Sequence, residues 1–242
     1  MNDCISFGGG VNSVAMTVLM VNEGWRGPVV MADTGCEWPE TDAYVERFDR
    51  EWLQPRGLYV EHVGAKWRSE RIARLHSVEG YALHYGMIPL AYARWCTQYF
   101  KTDPINRWAS ARALTVQHLG IAADESHRKP DASRPLCERG ITRAGCIEII
   151  RAEELPVPRK SACWCCPFQT RAQWRELWER HSDLYERAAA LEDAATERRG
   201  RYTTLDPSGR WTLRHLAAQF ERQPRLMSER VWCTANVTGV RC

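Results

Sequence analysis

Along the first 65 residues, short apolar runs alternate with stretches of helical periodicity. Cys4-Ile5-Ser6-Phe7 reads as the end of a short strand, cut by Gly8-Gly9-Gly10. From Val14 to Glu23 apolar residues recur at helical spacing (Val14, Val18, Val21, with Ala15 and Leu19 beside them). This spacing predicts a helix. Asn12 or Ser13 is placed to cap its start and Gly24 to end it. Pro28 to Ala32 forms a second apolar run. Pro39 to Trp52 reads as a second helix, with Glu40 and Asp42 in its first turn, where the helix dipole favours anions. Leu58 to Val63 supplies a third strand. The alternation predicts an α/β fold, a parallel twisted sheet with helices on both faces.

Further along, residues 66–112 read as helix and loop, Thr115 to Ala122 as another buried strand ending at Asp124-Glu125-Ser126, and residues 128–162 as a proline-bearing loop region. Gln169 to Glu197 is strongly helical in pattern (Trp174, Leu177, Trp178, Leu184, Leu191). Asp206-Pro207-Ser208-Gly209 is a turn, followed by a short amphipathic helix and a polar tail from residue 222. No internal repeat is visible. The expected organisation is an α/β domain over 1–150 and a helical, cysteine-containing part over 151–242 packed on it.

Composition narrows the class. At 242 residues, with 44% hydrophobic and 26% charged residues, the chain is large enough to bury a core without disulfides. No apolar run approaches the roughly 18 residues of a membrane span. The opening residues lack a signal-peptide pattern, so a cytoplasmic, membrane-free protein is expected. The net charge of +3 is too mild to announce a nucleic-acid binder. The cations are nonetheless skewed: only Lys66, Lys101, Lys129 and Lys160 are lysines, and arginine forks match phosphate well. Ten cysteines in a reducing compartment point to metal ligands, redox groups or plain buried residues rather than to a disulfide scaffold.

The segment Ser6-Phe7-Gly8-Gly9-Gly10-Val11-Asn12-Ser13 carries the first candidate chemistry. Three glycines at a strand-to-helix turn let the backbone approach a ligand closely. The free N–H groups of the helix start favour a phosphate or sulfate, and Ser6 and Ser13 could add hydroxyls. The segment lacks the Gly-Lys-Ser/Thr ending of a Walker A loop, and Ser13 stands where a dinucleotide fingerprint needs its third glycine. A tight turn without a ligand is the alternative.

These residues resemble the PP-loop of the adenine nucleotide alpha hydrolase-like superfamily, usually Ser-Gly-Gly-x-Asp-Ser, with Gly8 in place of the serine and Asn12 in place of the aspartate. Three further segments, in order, resemble phosphoadenosine phosphosulfate (PAPS) reductases. These are Ala32-Asp33-Thr34-Gly35-Cys36-Glu37-Trp38-Pro39-Glu40-Thr41, then Arg94-Trp95-Cys96-Thr97 with Lys101, then Gly120-Ile121-Ala122-Ala123-Asp124-Glu125-Ser126 with Arg128. The resemblance implies a PP-loop, Rossmann-like fold binding an adenine nucleotide, either ATP or a sulfonucleotide (PAPS/APS). It implies that Ser6, Gly8, Gly9, Gly10, Asn12 and Ser13 hold the phosphates. Asp33, Thr34 and Gly35 would sit beside the ribose or adenine, where open α/β sheets bind ligands. Lys101 and Arg128 would stabilise developing charge. Asp124 and Glu125, with Ser126 beside them, would hold Mg2+, or Glu125 would simply pair with an arginine.

Cys163-Trp164-Cys165-Cys166-Pro167 contains the two-sulfur C-x-x-C spacing of a metal or cluster site. With the resemblance, Cys96 and Cys146 complete an expected 4Fe-4S set with Cys163 and Cys166; zinc on four thiolates, or buried unligated cysteines, are the alternatives. Cys242 is the candidate nucleophile by analogy with the reductases' C-terminal cysteine, although their Glu-Cys-Gly-Leu-His is absent. Two chemistries follow. One cleaves ATP between its alpha and beta phosphates and adenylates a substrate, with a sulfur donor or with tRNA or DNA as acceptor. The other reduces a sulfonucleotide with thioredoxin. A non-catalytic nucleotide-sensing or nucleic-acid-binding module is the third reading, and a homodimer is compatible with each.

Overall fold

The computed structural model describes residues 2–65, 75–128 and 132–223. Its centre is a four-stranded, all-parallel sheet built from β1 (Asp3–Phe7), β2 (Val29–Asp33), β3 (Val60–Gly64) and β4 (Val116–Leu119), in the order β3-β2-β1-β4. Register is fixed by pairs such as Ile5 with Val29, Val30 with Glu61, and Ser6 with Leu119.

The period-2 alternation of the strands decides which helix lies on which face. Ile5, Phe7, Val29 and Met31 point to a core shared with α1 (Val11–Asn22) and α2 (Pro39–Phe48). Cys4, Val30 and Ala32 point the other way, to Ile105, Trp108 and Ala109 of the Asp103–Ser110 helix. Helices therefore cover both faces, as the sequence predicts. Phe7, Phe48 and Trp52 stack in series, with centroids 5.6 and 5.2 Å apart, and pin α2 and its π-helical continuation Asp49–Leu53 to β1.

A third core holds the carboxyl-terminal helices. The stretch expected as one helix from Gln169 is two, Arg171–Arg180 and Ser182–Arg199, separated at His181. Thr170 and Gln173 form a reciprocal capping box that starts the first. Both pack with the Leu213–Glu221 helix around Trp174, Leu177, Ala188, Leu205 and Phe220. The same core includes Trp38, Val78, Tyr81, Trp95 and Phe100, so these helices share their interior with the middle of the chain. At its centre the buried Glu192 carboxylate accepts from Thr204 Oγ1, Leu205 N and Leu213 N at 2.6–2.9 Å, and burial pushes its carboxyl above its ordinary value.

Three sequence expectations need correction. α1 begins at Val11, with Gly10 as its N-cap in extended conformation, rather than after Asn12 or Ser13. Ser13 closes the start from inside the first turn, its Oγ accepting from Gly10 N at 3.2 Å and donating to Gly10 O at 3.0 Å. The fourth strand stops at Leu119, because Ile121 to Ser126 turn into a 3-10 segment, Ala123–Glu125. Residues 128–162 are not all loop. Arg143–Ala152 is a helix, capped by Thr142 Oγ1, that packs Cys146 and Ile150 behind α1.

Candidate active site

The sheet order reverses between β1 and β4, so the loops leaving these two strands diverge and open a crevice at their carboxyl ends. The glycine bend fills its floor. Gly9 takes a left-handed φ of +65°, and a Cβ there would lie 2.7 Å from Val45 Cγ2, so the bend lies tight against α2. Gly120, just past β4, is equally constrained. A Cβ would come within 2.7 Å of Ser13 N and Cα. Gly120 thus presses the exit of β4 against the first turn of α1. Above the bend lies a cavity of about 800 Å³, lined by residues drawn from Ser6 to Ser161.

One wall is a chain of polar contacts between β4's exit and α1. Asn12 Nδ2 donates to Glu125 Oε2 at 3.2 Å, and Arg128 Nη1 donates to the same oxygen at 3.4 Å. Arg143 approaches Asn12 Oδ1 at 3.5 Å, while its backbone N–H donates to Asp124 Oδ1 at 3.2 Å. Glu125 is thus bonded to both Asn12 and Arg128.

The opposite wall is set by an unforeseen piece of sheet-like pairing. Glu37 and Cys163 form an antiparallel bridge, with Trp164 N donating to Cys36 O at 2.8 Å and Trp38 N to Ala162 O at 3.3 Å. This seats the C-x-x-C turn just beyond β2. Thr34 Oγ1 lies 3.3 Å from Cys163 Sγ and 3.1 Å from Glu37 Oε1; Cys163 Sγ donates to the same Glu37 oxygen at 3.7 Å. Lys101 Nζ donates to Glu37 Oε1 at 3.3 Å, with 45% of its side chain still open. Burial, reinforced by Glu37, pushes the Cys163 thiol well above its ordinary value, so it rests protonated. Burial also works against the Lys101 ammonium, but the Glu37 carboxylate that it hydrogen-bonds holds Lys101 above its ordinary value. With Cys163 protonated, Glu37 is the partner that keeps Lys101 charged.

Of the residues expected at the nucleotide, Ser6, Gly8, Gly10, Asn12, Ser13, Lys101, Glu125 and Arg128 line this cavity. Gly9 shapes the bend from beneath. Asp33, Thr34 and Gly35 do not line it. Asp33 Oδ1 accepts from Gly35 N at 2.8 Å in a turn, and Thr34 is fully buried holding Glu37 and Cys163. Asp124 and Ser126 also stay outside the lining, and Cys242 lies outside the described residues. The lining residues missed as site residues include Glu37, Arg143, Lys160 and Ser161. Glu37 lies inside the Ala32–Thr41 motif and Lys160-Ser161 just ahead of the C-x-x-C, so position within a motif is the available signal. Arg143 had none, because its helix was not foreseen.

The expected cysteine set separates. Cys166 feels Cys96 and Lys101, and burial raises both Cys96 and Cys166. Cys146 instead lies fully buried behind α1, its thiol pushed up to about 11 by burial and by Asp124. A cluster or a zinc ion needs sulfurs converging on one centre. Among the described residues no three His, Cys, Asp or Glu side chains are placed to hold a metal ion. As arranged, Cys96, Cys146, Cys163 and Cys166 do not fit a shared metal. Cys36 and Cys165, neither of them expected in the set, are buried close to each other.

No helix among the described residues is long and apolar enough to cross a membrane. A search of curated proteins gives no match. The crystal structure of phosphoadenylyl-sulfate (PAPS) reductase from Candida auris, in its phosphate complex, aligns with a TM-score of 0.48 at 15% identity, covering 68% of this chain and 82% of that one. The family model for the phosphoadenosine phosphosulfate reductase domain matches residues 2–132, more than half of the sequence and the whole of the sheet. The chain therefore belongs to the phosphoadenosine phosphosulfate reductase domain family, within the PP-loop superfamily.

Proposed function

We propose that the chain is an adenine-nucleotide enzyme that cleaves ATP between its alpha and beta phosphates and adenylates an acceptor. The observation that carries this reading is the convergence of the α1 N-terminus with Lys101, Arg128, Arg143 and Lys160 around one cavity. Backbone N–H groups at a helix start and a ring of fixed cations are what a departing pyrophosphate needs. In this reading Gly8 to Ser13 hold the phosphates, Asn12 and Glu125 keep Arg128 oriented, and Lys101 stabilises charge on the leaving group. Positioning and charge stabilisation then supply most of the acceleration. Pyrophosphate release from ATP by the full chain is the test. Release that disappears with Lys101→Met supports the reading, and no release with any acceptor offered refutes it.

One contact favours a second reading, sulfonucleotide reduction. Cys163 is the thiol placed beside Lys101 and hydrogen-bonded to Glu37. Its attack on the sulfate sulfur would expel the nucleotide and leave a thiosulfonate. A second thiol, from Cys166 or thioredoxin, would then free sulfite and close a disulfide. Sulfite release with thioredoxin, lost in Cys163→Ser, identifies this chemistry.

A further inference from the structure

Beside the cysteine turn, the surface carries aromatic rings that no core explains. Tyr92 is 83% exposed, Tyr202 56% and Phe168 53%. Tyr92 and Tyr202 share a hollow of about 340 Å³ with Pro167, Arg199 and Arg201. Phe168 lies next to Pro167 and under the Arg94 guanidinium, 5.9 Å from its ring centroid. Arg94 itself is held at a left-handed φ of +44° and opens a second hollow of about 460 Å³ that reaches Tyr99. The acid lining these two hollows is Asp206, whose carboxylate already accepts from Ser208 N, Ser208 Oγ and Arg210 N. Arg199 spends one N–H on Gly86 O, whereas the exposed Arg201 side chain makes no hydrogen bond or ion pair among the described residues. The patch therefore combines open π-faces with uncompensated positive charge.

We propose that this face binds a single strand of nucleic acid, with bases stacked on Tyr92, Tyr202 and Phe168 and phosphates met by Arg94, Arg199 and Arg201. Interleaved aromatic faces and arginines are the recognition chemistry of single strands. A protein partner would be expected to cover aliphatic as well as aromatic surface, and to answer arginines with acids. The patch also leads somewhere. Thr97 lines both the Arg94 hollow and the nucleotide cavity, and the turn carrying Phe168 begins at Cys163. A strand lying here would bring a nucleotide to the adenylation site as acceptor, a role that rests on the function proposed above; binding itself does not.

The test is fluorescence anisotropy of the full chain with a labelled 12-nucleotide single strand, as DNA and as RNA, against the same sequence as duplex. Binding is expected to be stronger for a single strand than for the duplex, with a log–log salt slope of about −2 for three phosphate contacts. Tyr92→Ala is expected to weaken binding by about tenfold and Tyr92→Phe to restore it, since stacking needs only the ring. Arg201→Ala should flatten the salt slope by about 0.7. ATP binding by Tyr92→Ala should match the parent, and Lys101→Met should still bind the strand. Thus loss of pyrophosphate chemistry with intact strand binding defeats the proposed function alone. Absent strand binding, binding indifferent to Tyr92 and Arg201, or displacement of the strand by thioredoxin from a site lost in Tyr92→Ala would overturn the proposal.

Discussion

The two walls of the cavity are built on opposite principles. The Asn12–Glu125–Arg128–Arg143 wall comes from segments following β1 and β4 and the helix behind them. Its charges are matched within the wall, and its exposed Arg128 is tethered to a half-exposed acid. The Thr34–Glu37–Lys101–Cys163 wall is drier. Its single carboxylate serves three neighbours at once, the Glu37 side chain being 6% exposed. A charge among matched partners near water can be removed at modest cost. A charge sharing one buried acceptor cannot, because its loss leaves the carboxylate without its cation. The wall richer in arginine is therefore the more tolerant one.

Substitutions can break this contrast. The largest effect is expected for Lys101→Met, which leaves Glu37 uncompensated. A fall of about 10²–10³ in turnover is expected, as when one transition-state donor is deleted, and steady-state pyrophosphate release measures it. Next comes Gly120→Ala, which forces a methyl group against the Ser13 backbone. It should cost about 1–3 kcal/mol of stability, the usual range for overpacking, and weaken nucleotide binding, seen by thermal melting and calorimetry. Arg128→Ala should lower nucleotide affinity only about tenfold, one charge-assisted hydrogen bond's worth. An Arg128→Ala defect equal to that of Lys101→Met would erase the distinction between the walls.

The smallest effect tests what holds the second wall in place. Arg159 lies 3.6 Å over the Trp38 ring and binds Glu40 and Glu176 at 3.2 Å, while His181 reaches Glu40 at 2.8 Å. Burial alone would raise Glu40, but His181 and Arg159 hold it below its ordinary value near 4.5. A depressed carboxyl contributes stability above its unfolded pKa and loses it as pH falls through the folded value. Glu40→Gln should therefore cost about 1 kcal/mol at pH 7, as for a partly exposed pair, and the gap to the parent should close below about pH 4. Denaturant melts at both pH values check this.

Much of this was legible in advance where the information is local. The short apolar runs and helical periodicity of residues 4–63 mark three of the four strands and the first two helices, because a strand covered on both faces is apolar throughout. The glycine bend was legible for the same reason: positive φ and close approach leave few residue choices. What stayed hidden depends on distant pairing. The Arg143–Ala152 helix carries Gly145 in its first turn and is bracketed by Pro135, Pro156 and Pro158, so breaker residues masked its apolar stripe. The Glu37–Cys163 bridge joins residues far apart in sequence and leaves no period to read. The same pairing turned Thr34 inward, where the motif alone suggested a ligand contact.

Gly10 offers one more lesson. A Cβ there would lie 2.7 Å from Ser161 Oγ, so the glycine bend is roofed by a residue beyond the stretch that identifies the family. Anyone transplanting residues 2–132 as a module, or trimming the protein to its recognisable part, would carry away the floor of the pocket and leave its ceiling behind.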